Sequence, residues 1–208
     1  MTHRASEPEI IGSRFNRTVC VVVWAVAGIM LLSAFFGGGE ATLRSAPTIA
    51  LLAYAGWVVL WRPNLVITDE HVSLRNVVTT VVVPWSALIQ VDTRFALTLV
   101  TPGHRYSAWV APAPGALTSQ RMARRSRKAE NENPLERSSD GRSLPGELRG
   151  SESGDAARRV RARWDALIEA GAVQTGTADT TPVTRTMHVT VLGVLAALLG
   201  LSLTAALI

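Results

Sequence analysis

Three apolar blocks without a single Asp, Glu, Lys or Arg constrain this chain more than anything else in it: TVCVVVWAVAGIMLLSAFF (18–36), SAPTIALLAYAGWVVLW (45–61) and MHVTVLGVLAALLGLSLTAALI (187–208). About 20 helical residues at 1.5 Å of rise cross a hydrocarbon core roughly 30 Å thick. The first and third blocks are long enough, and the second is near the lower limit. A soluble core helix of this length usually keeps a polar stripe, which these blocks lack. All three are therefore expected to be transmembrane helices, the first two forming a hairpin over 18–61. Reading the first as a cleaved signal peptide fits poorly: its apolar run exceeds the about 7–15 residues of a signal core, and GGGE is a weak cleavage site. With 48% hydrophobic residues in 208 and a positive mean hydropathy, the chain holds more apolar surface than one soluble core needs.

Orientation follows from arginines at the block ends. Arg4, Arg14 and Arg17 precede the first block, Arg62 follows the second and Arg185 precedes the third, whereas the loop between the first two carries only Arg44. A multi-pass plasma-membrane protein is expected, with the N-terminal tail (1–17) and residues 62–186 cytoplasmic and Ile208 at the outer face. The net charge of +5 suits a part that faces an anionic leaflet. The single cysteine, Cys20, forms neither an intramolecular disulfide nor a thiolate metal site by itself.

Between Pro63 and Pro112 the pattern becomes alternating and β-branched. Strands are expected at 65–68, 71–76, 79–83, 87–92, 95–101 and 104–110, joined by short turns that favour an antiparallel meander, curved or partly closed. In TTVVVPW, Val81 and Val83 face a core, Val82 faces away, and Pro84 ends the strand because it has no N–H to donate. Pro84, Trp85 and Trp164 carry structural roles, Trp85 as a plug at the sheet end. Residues 113–154 lack large apolar side chains and are expected to be a disordered polar insert. In 155–171 the residues Ala157, Val160, Trp164, Leu167 and Ile168 recur at helical spacing, Asp155 suits the start and Gly171 the stop, so an amphipathic helix should cover the open mouth of the sheet. A Thr-rich linker, 172–186, leads to the last span.

Short antiparallel strands followed by one helix with a central Trp resemble the pleckstrin-homology (PH) fold, a curved two-sheet barrel capped at one end by a C-terminal helix. More closely, WRPNLVITDEHVSLRN followed by VPWSALIQV resembles the bacterial PH-like domains of actinobacterial membrane proteins in the low molecular weight protein antigen 6 family. Arg62, Pro63, Thr68, Arg75, Asn76, Pro84, Trp85 and Ile89 carry the match. The resemblance covers roughly 45–112 and takes 155–171 as the capping helix. It implies a membrane-anchored α+β protein with a PH-like antiparallel barrel over 62–112. Two departures stand out: the insert at 113–154, and six strands where a PH barrel has seven. Either a short strand lies near 111–118, or the barrel is incomplete.

Many PH domains surround phosphoinositide phosphates with Lys and Arg from the first strands and the loop between them. Here that loop is Thr68-Asp69-Glu70-His71, which puts carboxylates where cations are needed. The basic cluster Arg121, Arg124, Arg125, Arg127 and Lys128 is the better candidate for anionic lipid. Nucleic acid is discounted, since no aromatics interleave with these arginines. No catalytic, cofactor or metal motif surrounds His3, His71, His104 or His188. The expected function is a non-enzymatic scaffold without cofactors, holding a membrane or cytoplasmic protein partner at a strand edge or in the groove beside the capping helix. The alternative is a sensor of anionic lipid that uses the 121–128 cluster and the helix arginines.

Overall fold

The computed structural model describes residues 7–93, 96–112, 152–174 and 176–207. The chain is α+β, with antiparallel sheets and three helices long and apolar enough to cross a membrane. It divides into a β unit (Met1–Ile11, Asn64–Arg75 and Val81–Arg185) and a helical unit (Gly12–Pro63, Asn76–Thr80 and Thr186–Ile208).

In the helical unit, α1 (Arg14–Phe36) starts four residues before the apolar block. Ser13 explains this: its Oγ accepts the Asn16 N–H at 3.1 Å and caps the first turn. Helix α2 (Gly39–Gly56) also begins early, with Glu40 in its first turn bonded to Arg44 one turn on at 2.9 Å. A π-helical turn, Trp57–Trp61, continues it, and the Arg62 N–H bonds back five residues to the Trp57 carbonyl at 2.9 Å. Helices α1 and α2 approach closely at Gly56, where an added Cβ would come within 3.0 Å of Val23 Cγ1. Gly56→Leu is therefore expected to overpack this crossing by about 1–3 kcal/mol. A lowered thermal midpoint of the full chain in nanodiscs checks it, with Gly28→Leu, a position open to space, as the tolerated control.

The β unit follows the period-two pattern. Strands β2 (Asn64–Ile67), β3 (His71–Arg75) and β4 (Thr79–Pro84) bury Leu65, Ile67, Val72, Leu74, Val81 and Val83 and turn the intervening residues outward. A 3₁₀ turn, Trp85–Ala87, leads to β5 (Gln90–Asp92), β6 (Ala96–Thr101) and β7 (His104–Pro112). This turn takes Ala87 from the expected strand 87–92, Leu88 and Ile89 are irregular, and the three together carry the chain from one sheet to the other. Among the described residues the sheets have five and three strands and are not closed on one another.

Two strands have no counterpart in the expected pattern. Glu9–Ile11 forms β1, which pairs antiparallel with β2 in the register Glu9↔Ile67, Ile10↔Val66 and Ile11↔Leu65. Thr184–Met187, at the end of the expected linker, forms the strand at the opposite edge, β8, giving the sheet order β1-β2-β3-β4-β8.

Helix α3 (Glu152–Glu169) starts three residues before the expected Asp155, taking in the end of the expected insert; the remainder of that insert, beyond Pro112, lies outside the described residues. Ser153, Gly154, Ala156 and Ala157 are buried, and side chains this small let the first turns lie close against β5, β6 and β7. Val160 and Leu167 continue the buried stripe and Trp164 packs on it partly exposed, whereas Ile168, expected on that stripe, faces out. Gly171 ends the helix as expected, at φ 68°, with the Ala172 N–H returning to the Leu167 carbonyl and the Gly171 N–H to that of Ile168, both at 2.9 Å. The last helix, α4, is Val189–Leu207.

Candidate functional site

A cleft in the β unit grows from one turn. Between β2 and β3, the Thr68 Oγ1 accepts the N–H groups of Glu70 (3.3 Å) and His71 (3.1 Å) and donates to the His71 carbonyl (2.9 Å). A threonine hydroxyl that binds its own turn in this way fixes the intervening backbone. Asp69 and Glu70 are thus held at the tip. Trp85 locks the turn from beneath: its ring is 2% exposed and its Nε1–H donates to the Thr68 carbonyl at 3.0 Å. Its plugging role is accordingly joined to a second one, as the support of an acidic turn. From the helix side, the Arg163 guanidinium pairs with the Asp69 carboxylate.

Opposite this turn runs the segment after α3. The Thr177 carbonyl accepts the N–H groups of Thr180 and Thr181 at 3.1 Å and their hydroxyls at 3.0 and 2.9 Å, folding the segment into a compact knot. Ser86 Oγ and Thr181 Oγ1, 3.3 Å apart, tie the knot to the Trp85 corner. Between them lies a cleft of about 500 Å³. Among its described lining residues are two carboxylates, several hydroxyls and the Trp85 corner, and no Lys or Arg. With Asp69 paired to Arg163, Glu70 gives this wall its negative charge, which suits a basic or hydrogen-bonding group.

Of the residues singled out from the sequence, Trp85 and Pro84 stand at this corner, while Trp164 packs against the core from α3. Arg121, Arg124, Arg125, Arg127 and Lys128 lie outside the described residues. The helix arginines are engaged within the unit: Arg158 with Asp155, Arg159 with Glu9, Arg163 with Asp69, and Arg161 with the Val91 carbonyl at 2.7 Å. His104 stacks on Tyr106, and His188 Nε2 lies 3.1 Å from Thr80 Oγ1. Among the described residues no group of three or more His, Cys, Asp or Glu is arranged to hold a metal. Sequence reasoning missed the cleft because 172–186 reads as a linker. Its only signal was the density of Thr in TGTADTTP, a composition that favours side-chain-to-backbone turns. No family model, no curated protein and no solved structure matches the chain.

Proposed function

We propose that this protein is a non-enzymatic adaptor at the plasma membrane, in which three spans anchor a cytoplasmic module of the PH kind that holds a protein partner in the cleft beside α3. The observation that carries the reading is the cleft itself: a preformed, acidic, hydroxyl-lined space supported by a fully packed tryptophan. The PH-like reading draws support from β1, which brings the first sheet to four strands before the 3₁₀ corner, with three strands and a helix after it. Membrane anchoring draws support from the chain path: two residues separate β1 from α1, two separate the π turn from β2, and His188 alone separates β8 from α4. The chemistry of the cleft favours a partner segment carrying Lys or Arg.

The lipid-sensing alternative loses part of its basis, since the four helix arginines already have acceptors within the unit. Its remaining candidate is the 121–128 cluster.

Glu70 decides between them. Its carboxylate is exposed at the cleft mouth, so Glu70→Lys inverts the local charge without touching the core. Cross-linking in membranes followed by purification of the full chain is expected to recover a reproducible partner, and Glu70→Lys to lower that recovery about tenfold, as loss of a close charge pair at an interface does. A partner indifferent to Glu70→Lys, or none, overturns the adaptor reading. Liposome binding that falls steeply with salt and with alanine at Arg124, Arg125 and Arg127 would instead support the lipid sensor.

A further inference from the structure

The helical unit has an unusual charge imbalance at one end. Its only carboxylate is Glu40, which is committed to Arg44 at 2.9 Å. These two sit beyond the C-terminal end of α1, a helix of 23 residues and so about 35 Å long, whereas Arg14, Arg17 and Arg62 belong to the opposite end of the hairpin. Arg14 and Arg62 have partners of their own, and no side-chain carboxylate of the unit lies at the Arg17 end.

Arg17 is held ready there. Its guanidinium carbon lies 5.5 Å from the centroid of the Trp61 ring, and Trp61 itself stacks on Trp24 with centroids 5.5 Å apart. Trp24 is fixed in turn by its Nε1–H, which donates to the Ala53 carbonyl at 3.0 Å. Gly12 makes room on another side: a Cβ there would lie 2.9 Å from Arg17 Nη2. A guanidinium seated on an aromatic ring satisfies its positive face but none of its N–H donors, because a ring face offers no lone pair. Two of those donors, fixed in the planar guanidinium fork, match a pair of oxygens on one anion, as the two non-bridging oxygens of a tetrahedral phosphodiester supply.

The depth of the site selects the source of that phosphate. Arg17 is the last charged residue before the 19-residue uncharged run 18–36, and Trp24 and Trp61 are both more than a third exposed on the helix surfaces. Trp61 ends the second apolar block, where an exposed tryptophan belongs to the level of lipid headgroups, and Trp24, well inside α1, supports its ring. We infer that Arg17, seated on Trp61 and cleared by Gly12, is a binding site for the phosphodiester of an anionic phospholipid. This site is separate from the cleft and from the 121–128 cluster, and its fate is independent of the adaptor reading.

The test uses the full chain in nanodiscs that contain phosphatidylcholine with a minor fraction of spin-labelled phosphatidylglycerol or spin-labelled phosphatidylcholine. The protein is expected to select the anionic label, and Arg17→Gln to lower that selectivity about fivefold, the worth of one arginine near anionic headgroups. Gly12→Ala keeps every charge but displaces the guanidinium, so it should lower selectivity at least twofold. Arg44→Gln removes the same charge at the far end and should leave selectivity unchanged. Equal effects of Arg17→Gln and Arg44→Gln, or an unchanged Gly12→Ala, overturn the site. Should Arg17→Gln fail to assemble, the Gly12→Ala and Arg44→Gln pair still decides. Inorganic phosphate added to pure phosphatidylcholine discs is expected to leave the thermal midpoint unchanged. A rise equal to that given by phosphatidylglycerol would overturn the lipid assignment in favour of a soluble phosphate.

Discussion

Trp85→Ala is expected to destabilise the β unit by about 3–5 kcal/mol, the range for removing a large buried aromatic. Three consequences combine at this corner. The substitution empties the most voluminous of the fully buried positions, deprives the Thr68 carbonyl of its donor, and frees the turn that presents Asp69 and Glu70. Trp85→Phe separates the first from the second: it keeps most of the ring but no donor, and is expected to cost about 1–3 kcal/mol. Trp164→Ala removes an equally large side chain that is only partly buried and makes no corner, so it should fall below Trp85→Ala. Pulse proteolysis of the full chain in nanodiscs across a urea series measures all three. If Trp85→Ala proved no worse than Trp164→Ala, the corner would not be the keystone of the cleft. The same variant should abolish partner recovery even where residual fold persists, because the acidic turn loses its support.

How far this architecture is readable without coordinates depends on whether an element is shaped by its own residues or by a distant neighbour. Strands β2 to β4 and β6 were legible because alternation such as Val81-Val82-Val83 states which face is buried, and the structure buries the first and third. Gly171 announced the end of α3 because only the left-handed region accommodates that stop, which glycine occupies without strain. By contrast, β1 is three residues long and β8 reads Thr-Arg-Thr-Met with every residue exposed, so neither carries a period. Both are strands because β2 and β4 offer them unpaired edges, information that lies more than fifty residues away. The cleft was hidden for the same reason, since Thr177, Thr180 and Thr181 acquire a role only through the Ser86 corner. The turn expected at Pro84–Ser86 is present as Trp85–Ala87 and divides the strands into two sheets, which among the described residues are not closed on one another.

That unforeseen strand β1 gives the second large expectation, an all-or-none pattern of labelling. β1 precedes α1 and β2 follows α2 and its π turn, both long and apolar enough to cross a membrane, and the two strands pair residue for residue over Glu9↔Ile67 to Ile11↔Leu65. Two strands of one ladder cannot lie on opposite sides of a bilayer, so under the proposed anchoring a chain that crosses at α1 is expected to return at α2. With Cys20 replaced by Ala, single cysteines at Glu7 and Arg105 should behave alike towards a membrane-impermeant maleimide, and one at Leu43, exposed near the hairpin tip, should behave oppositely. Which side is which rests on charge: Arg14, Arg17 and Arg62 flank the strand ends and Arg44 stands alone at the tip, so the positive-inside bias predicts Leu43→Cys labelled in intact cells and the other two only after permeabilisation. The two inferences fail separately. Reversal of all three positions would keep the ladder and invert the protein, exposing the cleft to the outside, whereas opposite behaviour of Glu7→Cys and Arg105→Cys would break the ladder and with it the fourth strand of the first sheet.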